Sequence, residues 1–138
     1  MNKVWYENPP GTAPAQGLYS HVGLVQGATL AFVAGQLAVG ADGGVVGKGD
    51  FSAQFRQVFL NLGDVLRGLG VDYRRVIRFT TYLVHSQDIE KFMLERRELF
   101  PQLFGEPPYP PNTLLVIDRL VKEEFLIEVE AIVGIDRP

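Results

Sequence analysis

"EEFLIEVEAIVG", Glu123–Gly134, is the stretch whose alternation decides the fold. Phe125, Ile127, Val129, Ala131 and Val133 fall at every second position, and side chains two apart on a strand share a face. The other face carries Glu128 and Glu130 between Leu126 and Ile132. One side is therefore built to be buried. The other sets two carboxylates side by side within an apolar border. These acids either pair with basic residues such as Arg78 or line a site.

Upstream, residues 76–84, "VIRFTTYLV", are β-branched and aromatic, which suits a second strand. Its odd positions, Ile77, Phe79, Thr81 and Leu83, suit packing under helices. Its even positions, Val76, Arg78, Thr80, Tyr82 and Val84, give a mixed far face. The clearest helix spans 51–69, where Phe51, Phe55, Val58, Leu62, Val65, Leu66 and Leu69 recur at three- and four-residue steps. Asp50 is its expected N-cap and Gly70 its terminating residue. A second amphipathic helix is expected over 88–104, with Pro101 bending it or ending it early.

"VGLVQG" and "TLAFVAGQLAV" read as two strands of a hairpin, "GADGGVVGKGD" as turn chemistry, and "GEPPYPPNT" as a rigid proline loop before a strand "LLVIDRL". Residues 1–17 are expected to form an irregular arm. The order ββ-α-β-α-ββ gives an α+β two-layer sandwich, a mixed sheet with two helices on one face, in one domain over 1–138. Two helices cover only one side of such a sheet. The uncovered side is apolar enough to predict a homo-oligomer that buries the far faces, with the charged groups lining clefts between subunits.

Composition narrows the function. The 138 residues carry a formal net charge of −3, so the basic stripe of a nucleic-acid binder is missing and no nucleic-acid partner is expected. There is no cysteine, which removes thiolate metal sites and a cysteine nucleophile. His21 and His85 lack metal-ligand spacing, so neither a metal nor a cofactor is expected, and His21 is kept as a proton-shuttle candidate beside Tyr19. No apolar run approaches the ~20 residues that span a bilayer, and no signal peptide is visible. A cytoplasmic protein without a membrane partner is the expectation. Trp5, Tyr6 and Tyr109 are candidate pocket aromatics, and "ERRE" at 95–98 reads as a solvated, self-neutralised helix face.

Five stretches together, "YSHVGLVQGATLAFVAGQL", "QFRQVFLNLGDVLRGLG", "VIRFTTYLVHSQDIEKF", "FGEPPYP" and "IEVEAIV", occur in the order and spacing of the reactive intermediate deaminase (RidA/YjgF) family, which the chain resembles from about Tyr19 to Val133. The resemblance implies a chorismate-mutase-like α+β fold and a homotrimer with small-molecule sites at its subunit interfaces. Deaminating members hydrolyse 2-imino or 2-enamino acids to 2-keto acids and ammonia. An arginine of the proline loop grips the substrate carboxylate, and a glutamate of the last strand positions or activates water.

Carried onto this chain, the glutamate falls on Glu128 and the pocket tyrosine on Tyr19, the two candidate catalytic residues. The remaining pocket positions depart from the family's pattern. The arginine is Asn112, the residue two further on is Leu114, the serine of "SGQ" is Ala34, and the helix asparagine is Met93. With Tyr109 these are the candidate substrate-binding residues. Losing one partner of a buried guanidinium–carboxylate pair costs roughly 3–5 kcal/mol. The expected activity is therefore hydrolysis of a small enamine, imine or related C–N metabolite other than the usual 2-imino acid, unless Arg78 or Arg119 reaches in. A non-catalytic trimer binding a small molecule in the same clefts is the alternative. An endoribonuclease is disfavoured by the acidic charge.

Overall fold

A computed structural model describes residues 3–137. In chain order it has β1 (Lys3–Glu7), β2 (Val22–Gln26), β3 (Thr29–Gln36), α1 (Phe51–Gly68), a 3-10 turn (Tyr73–Arg75), β4 (Val76–Leu83), α2 (Asp88–Phe104), β5 (Asn112–Val116) and β6 (Ile127–Ile135). The alternating C-terminal stretch, β6, lies inside a four-stranded mixed sheet of order β3-β6-β4-β5, antiparallel except for the β4–β5 pair that α2 connects. β1 and β2 form a separate antiparallel ribbon.

Both helices pack on one face, as the pattern predicts. Asp50 caps α1 by accepting from the Ala53 N–H at 3.1 Å. At its far end the Val71 and Gly70 N–H groups donate to the Leu66 and Arg67 carbonyls, with Gly70 at φ +77°, a Schellman stop that calls for glycine. Between helices and sheet lies an aromatic core in which Phe59 touches Phe55, Phe79, Phe100 and Tyr73, with ring centroids 4.7–6.2 Å apart. Ile127, Val129, Ala131 and Val133 of β6 close it from below.

Four expectations are corrected. The irregular arm is not irregular throughout, because Lys3–Glu7 forms β1. The expected β2–β3 hairpin does not pair: β2 bonds β1, and β3 bonds β6, about a hundred residues away in sequence. Pro101 does not end α2, which continues to Phe104 because buried Phe100 and Phe104 hold the last turn against the core. In β4 a register shift between Val76 and Arg78 sends Val76, expected on the far face, into the core. Ile77 turns towards Gly23 of β2, and the Tyr6 hydroxyl donates to the Val76 carbonyl at this irregularity. Tyr6, a candidate pocket aromatic, is thus spent on joining the ribbon to the sheet.

Buried Gln54 ties α1 to the entry of β6. Its Nε2 donates to the Gly47 and Glu124 carbonyls at 3.1 and 2.8 Å, and its Oε1 accepts from the Leu126 N–H at 2.8 Å. The register of β6, and with it the face on which Glu128 emerges, is fixed by this side chain as well as by strand pairing.

Candidate functional site

The uncovered face of the sheet carries Glu128, Glu130 and Ile132 of β6 opposite Tyr82, Thr80 and Arg78 of β4. β3 adds Phe32, which is 73% exposed, and Leu30, and β5 adds Leu115. Among the described residues, no element lies over these apolar groups.

Glu128 is half-buried. β3 bulges between Val33 and Gln36, and the Glu128 side chain lies across the bulge: a Cβ placed on Gly35 would come within 2.3 Å of Glu128 Oε2 and 2.6 Å of its Cγ. Burial, and secondarily the charge of Glu130, push the Glu128 carboxyl above the usual carboxylate range. Glu130 accepts a hydrogen bond from the Tyr82 hydroxyl, and this bond is the main reason that phenol is pushed up. Arg78 makes no ion pair with either acid; its Nη2 donates to Thr80 Oγ1 at 3.3 Å. Arg78, Thr80, Glu130, Phe32 and Ala34 line a shallow pocket of about 260 Å3.

The other expected residues lie across the sheet from Glu128. Asn112 is the first residue of β5 rather than part of a loop; it pairs with Phe79, and its Oδ1 accepts from Thr81 Oγ1 at 2.7 Å. Leu114 and Met93 pack against the core. Tyr109 is buried against Phe100 and Phe104 and donates to the Gly105 carbonyl, as a loop anchor would. Tyr19 stands near α2, its hydroxyl accepting from the Gln16 N–H at 3.1 Å. His21 lies edge-on to Tyr19 at 6.4 Å and meets the Ala13 carbonyl. Within one chain, the sheet therefore separates Glu128 and Ala34 from Tyr19, Met93, Asn112 and Leu114. Arg119 does not reach either group, its guanidinium being held by Glu123 and the carbonyls of its own turn.

Three residues escaped the sequence reading. Gly35 was hidden beside Ala34 in "AGQ", although a glycine inside a strand signals a bulge or a close approach. Gly17 closes the stretch expected as an irregular arm. Arg96 looked like part of a solvated run, but "ERRE" is not one face: Glu95 pairs with Arg56 of α1 at 3.2 Å, Arg97 is exposed, and Arg96 is 1% exposed. Its i, i+4 spacing from Phe92 and Phe100 was the available signal.

The family model described as Endoribonuclease L-PSP matches residues 10–135. The chain belongs to this family, the RidA/YjgF family. A RutC family protein of Pyrococcus horikoshii is 33% identical over 129 residues, 94% of each chain. A solved Rid family protein from Yersinia pestis, YyfB, whose function is unknown, superposes with a TM-score of 0.84 at 30% identity, covering 96% of this chain and 99% of that one. A putative endoribonuclease from Thermotoga maritima shares the fold at 22% identity and a TM-score of 0.66, over 96% and 98% of the two chains. As a RidA/YjgF member the chain has the expected two helices packed on a mixed sheet. Among the described residues, no helix is long and apolar enough to cross a membrane, and no three His, Asp or Glu side chains cluster to hold a metal.

Proposed function

We propose that the chain hydrolyses a small enamine, imine or related C–N metabolite at clefts between subunits of a homotrimer. The observation that carries this is the Glu128 carboxyl, raised by burial and lodged over Gly35 on a face that no described element of its own chain covers. A carboxylate with a raised pKa is a better proton acceptor, and as general base it would take a proton from water as the oxygen attacks an imine carbon. Collapse of that adduct releases ammonia and leaves a carbonyl.

The division of the expected residues supports the oligomeric part of the reading. Glu128 of one chain and Tyr19 of the same chain lie on opposite sides of a sheet. They share a cleft only if a second copy brings its Tyr19 side against the Glu128 face. Phe32, Leu30 and Leu115 give that face the apolar area an interface needs. Asn112 has no guanidinium to offer a carboxylate, so position 112 does not grip the carboxylate of a 2-imino acid. An acidic group on the substrate must be met from another part of the chain.

The test is ammonia and carbonyl release from a panel of enamines and imines generated in place. Turnover lost in Glu128→Ala is expected. No product from any member of the panel, with Glu128→Ala indistinguishable, would overturn the reading.

A second reading, a non-catalytic binder, is favoured by one observation: the amide oxygen of Asn112 is already engaged by Thr81, beside Leu114, which packs half-buried against the core. Ligand-dependent stabilisation without turnover is its signature. RNA cleavage, the activity in the family's description, finds little support in a face bearing Glu128 and Glu130 on a chain of net charge −3.

A further inference from the structure

Arg96 sits on the core-facing side of α2 with 1% of its surface exposed. Its Nη2 lies 3.0 Å from the Met93 thioether, a weak acceptor, while Nε and Nη1 have no hydrogen-bond partner among the described residues. A guanidinium offers a bidentate edge from Nε and Nη2 and another from Nη1 and Nη2. Each edge here keeps a nitrogen without an acceptor. Among the described residues, no carboxylate pairs with it. What surrounds it is aromatic: the rings of Phe92, Phe100 and Tyr19 lie 5.0, 5.9 and 5.9 Å from its Cζ.

Cation–π attraction offsets part of the burial, and the rings leave the N–H groups without acceptors. Burial lowers the guanidinium pKa to about 10, so the group is still charged at neutral pH. An uncompensated buried cation is strongly destabilising, and an apolar residue would fill this helix position at lower cost. Arginine at 96 makes sense when an anion completes it.

The cover over the guanidinium is thin. Gly17 is exposed to solvent, and a Cβ on it would come within 2.4 Å of Arg96 Nη2. One glycine backbone thus separates the charge from water. Tyr19, two residues on, forms the adjoining wall, and Met93 the floor.

We propose that Arg96 is the anion receptor of this chain, taking the carboxylate of a small organic acid beside Tyr19 when the Gly17 segment lifts. A single carboxylate brings the buried charge to zero. A phosphate dianion would leave a negative charge among three aromatic rings, so a carboxylate is the better match. The proposal rests on reading the Tyr19 wall as half of the functional cleft. It deepens that reading by giving the substrate an acidic group held from α2, with position 112 left free of that task.

Binding alone tests it, independently of turnover. Pyruvate, its neutral amide and inorganic phosphate are titrated against the full chain by thermal melting. The Arg96 Nε–H resonance is followed in the same protein by NMR. Pyruvate is expected to raise the melting temperature and shift that resonance, with the amide and phosphate at least tenfold weaker. Arg96→Met should lose the pyruvate response and, without ligand, melt no lower than the parent. Arg96→Lys should keep a weaker response. A pyruvate response equal to that of the amide, or unchanged in Arg96→Met, would overturn the proposal, as would a preference for phosphate. If Arg96→Met does not fold, Arg96 is a structural cation unless the parent's Nε–H resonance responds to pyruvate and not to the amide. Ammonia release from imines with no carboxylate binding would sink this inference and leave the hydrolase standing. Carboxylate binding without turnover would do the reverse.

Discussion

The Glu128 carboxylate occupies the space that a side chain at Gly35 would need. Gly35→Ala should therefore move the carboxylate without touching its chemistry. A misplacement of about 1 Å can cost on the order of a hundredfold in rate. We expect Gly35→Ala to retain the fold by circular dichroism and to lose roughly ten- to a hundredfold in ammonia release. Unchanged turnover would show that Glu128 does not act from this position.

The raised carboxyl of Glu128 has a consequence for stability. Because its folded pKa lies above the unfolded value, the proton is favoured in the folded chain. The corresponding stabilisation is present below the unfolded pKa and is lost as pH rises through the folded one. Glu128→Gln should thus be more stable than the parent at neutral pH, and the gap should close as the medium is acidified below the usual carboxylate range. Urea midpoints across that range test it; a constant gap would contradict it.

Gln54 is fully buried and satisfies two carbonyls and one N–H. Gln54→Leu keeps the volume and orphans all three. At about 1–3 kcal/mol for a buried group left unpaired, a loss of roughly 3 kcal/mol or more is expected in urea unfolding. A loss below about 1 kcal/mol would mean that these groups find other partners.

Phe32 is the most exposed aromatic side chain of the uncovered face. Phe32→Glu should turn an oligomer into a monomer in sedimentation velocity while leaving the melting of secondary structure intact. Turnover should fall with assembly, because Glu128 and Tyr19 of one chain cannot share a cleft.

Periodicity was enough for the two helices and for β6, since each buries a single face against a large core. Pairing was less legible. β3 chooses β6, far along the chain, and nothing local to "VGLVQGATLAF" distinguishes that from a hairpin. The irregularity at Val76–Ile77 exchanges which side chain enters the core, and a strict two-residue alternation cannot register it. At the site, the resemblance pointed to Glu128 and Tyr19, but it could not reveal the side of the sheet on which each stands. Arg96 was the largest omission, because a charge flanked by charges looks solvated until Phe92 and Phe100 are seen four residues to either side.

The Gln54 bridge bears on motion as well as on stability. Strand ends ordinarily fray, and their amides then exchange with solvent by small local openings. The Leu126 amide, just ahead of β6, is bonded to a side chain of α1 instead. It should exchange only when the first turns of α1 open, at the rate of the helix rather than of the strand end. The approach to Glu128 would then belong to the same cooperative unit as the start of α1, leaving the carboxylate on a rigid footing.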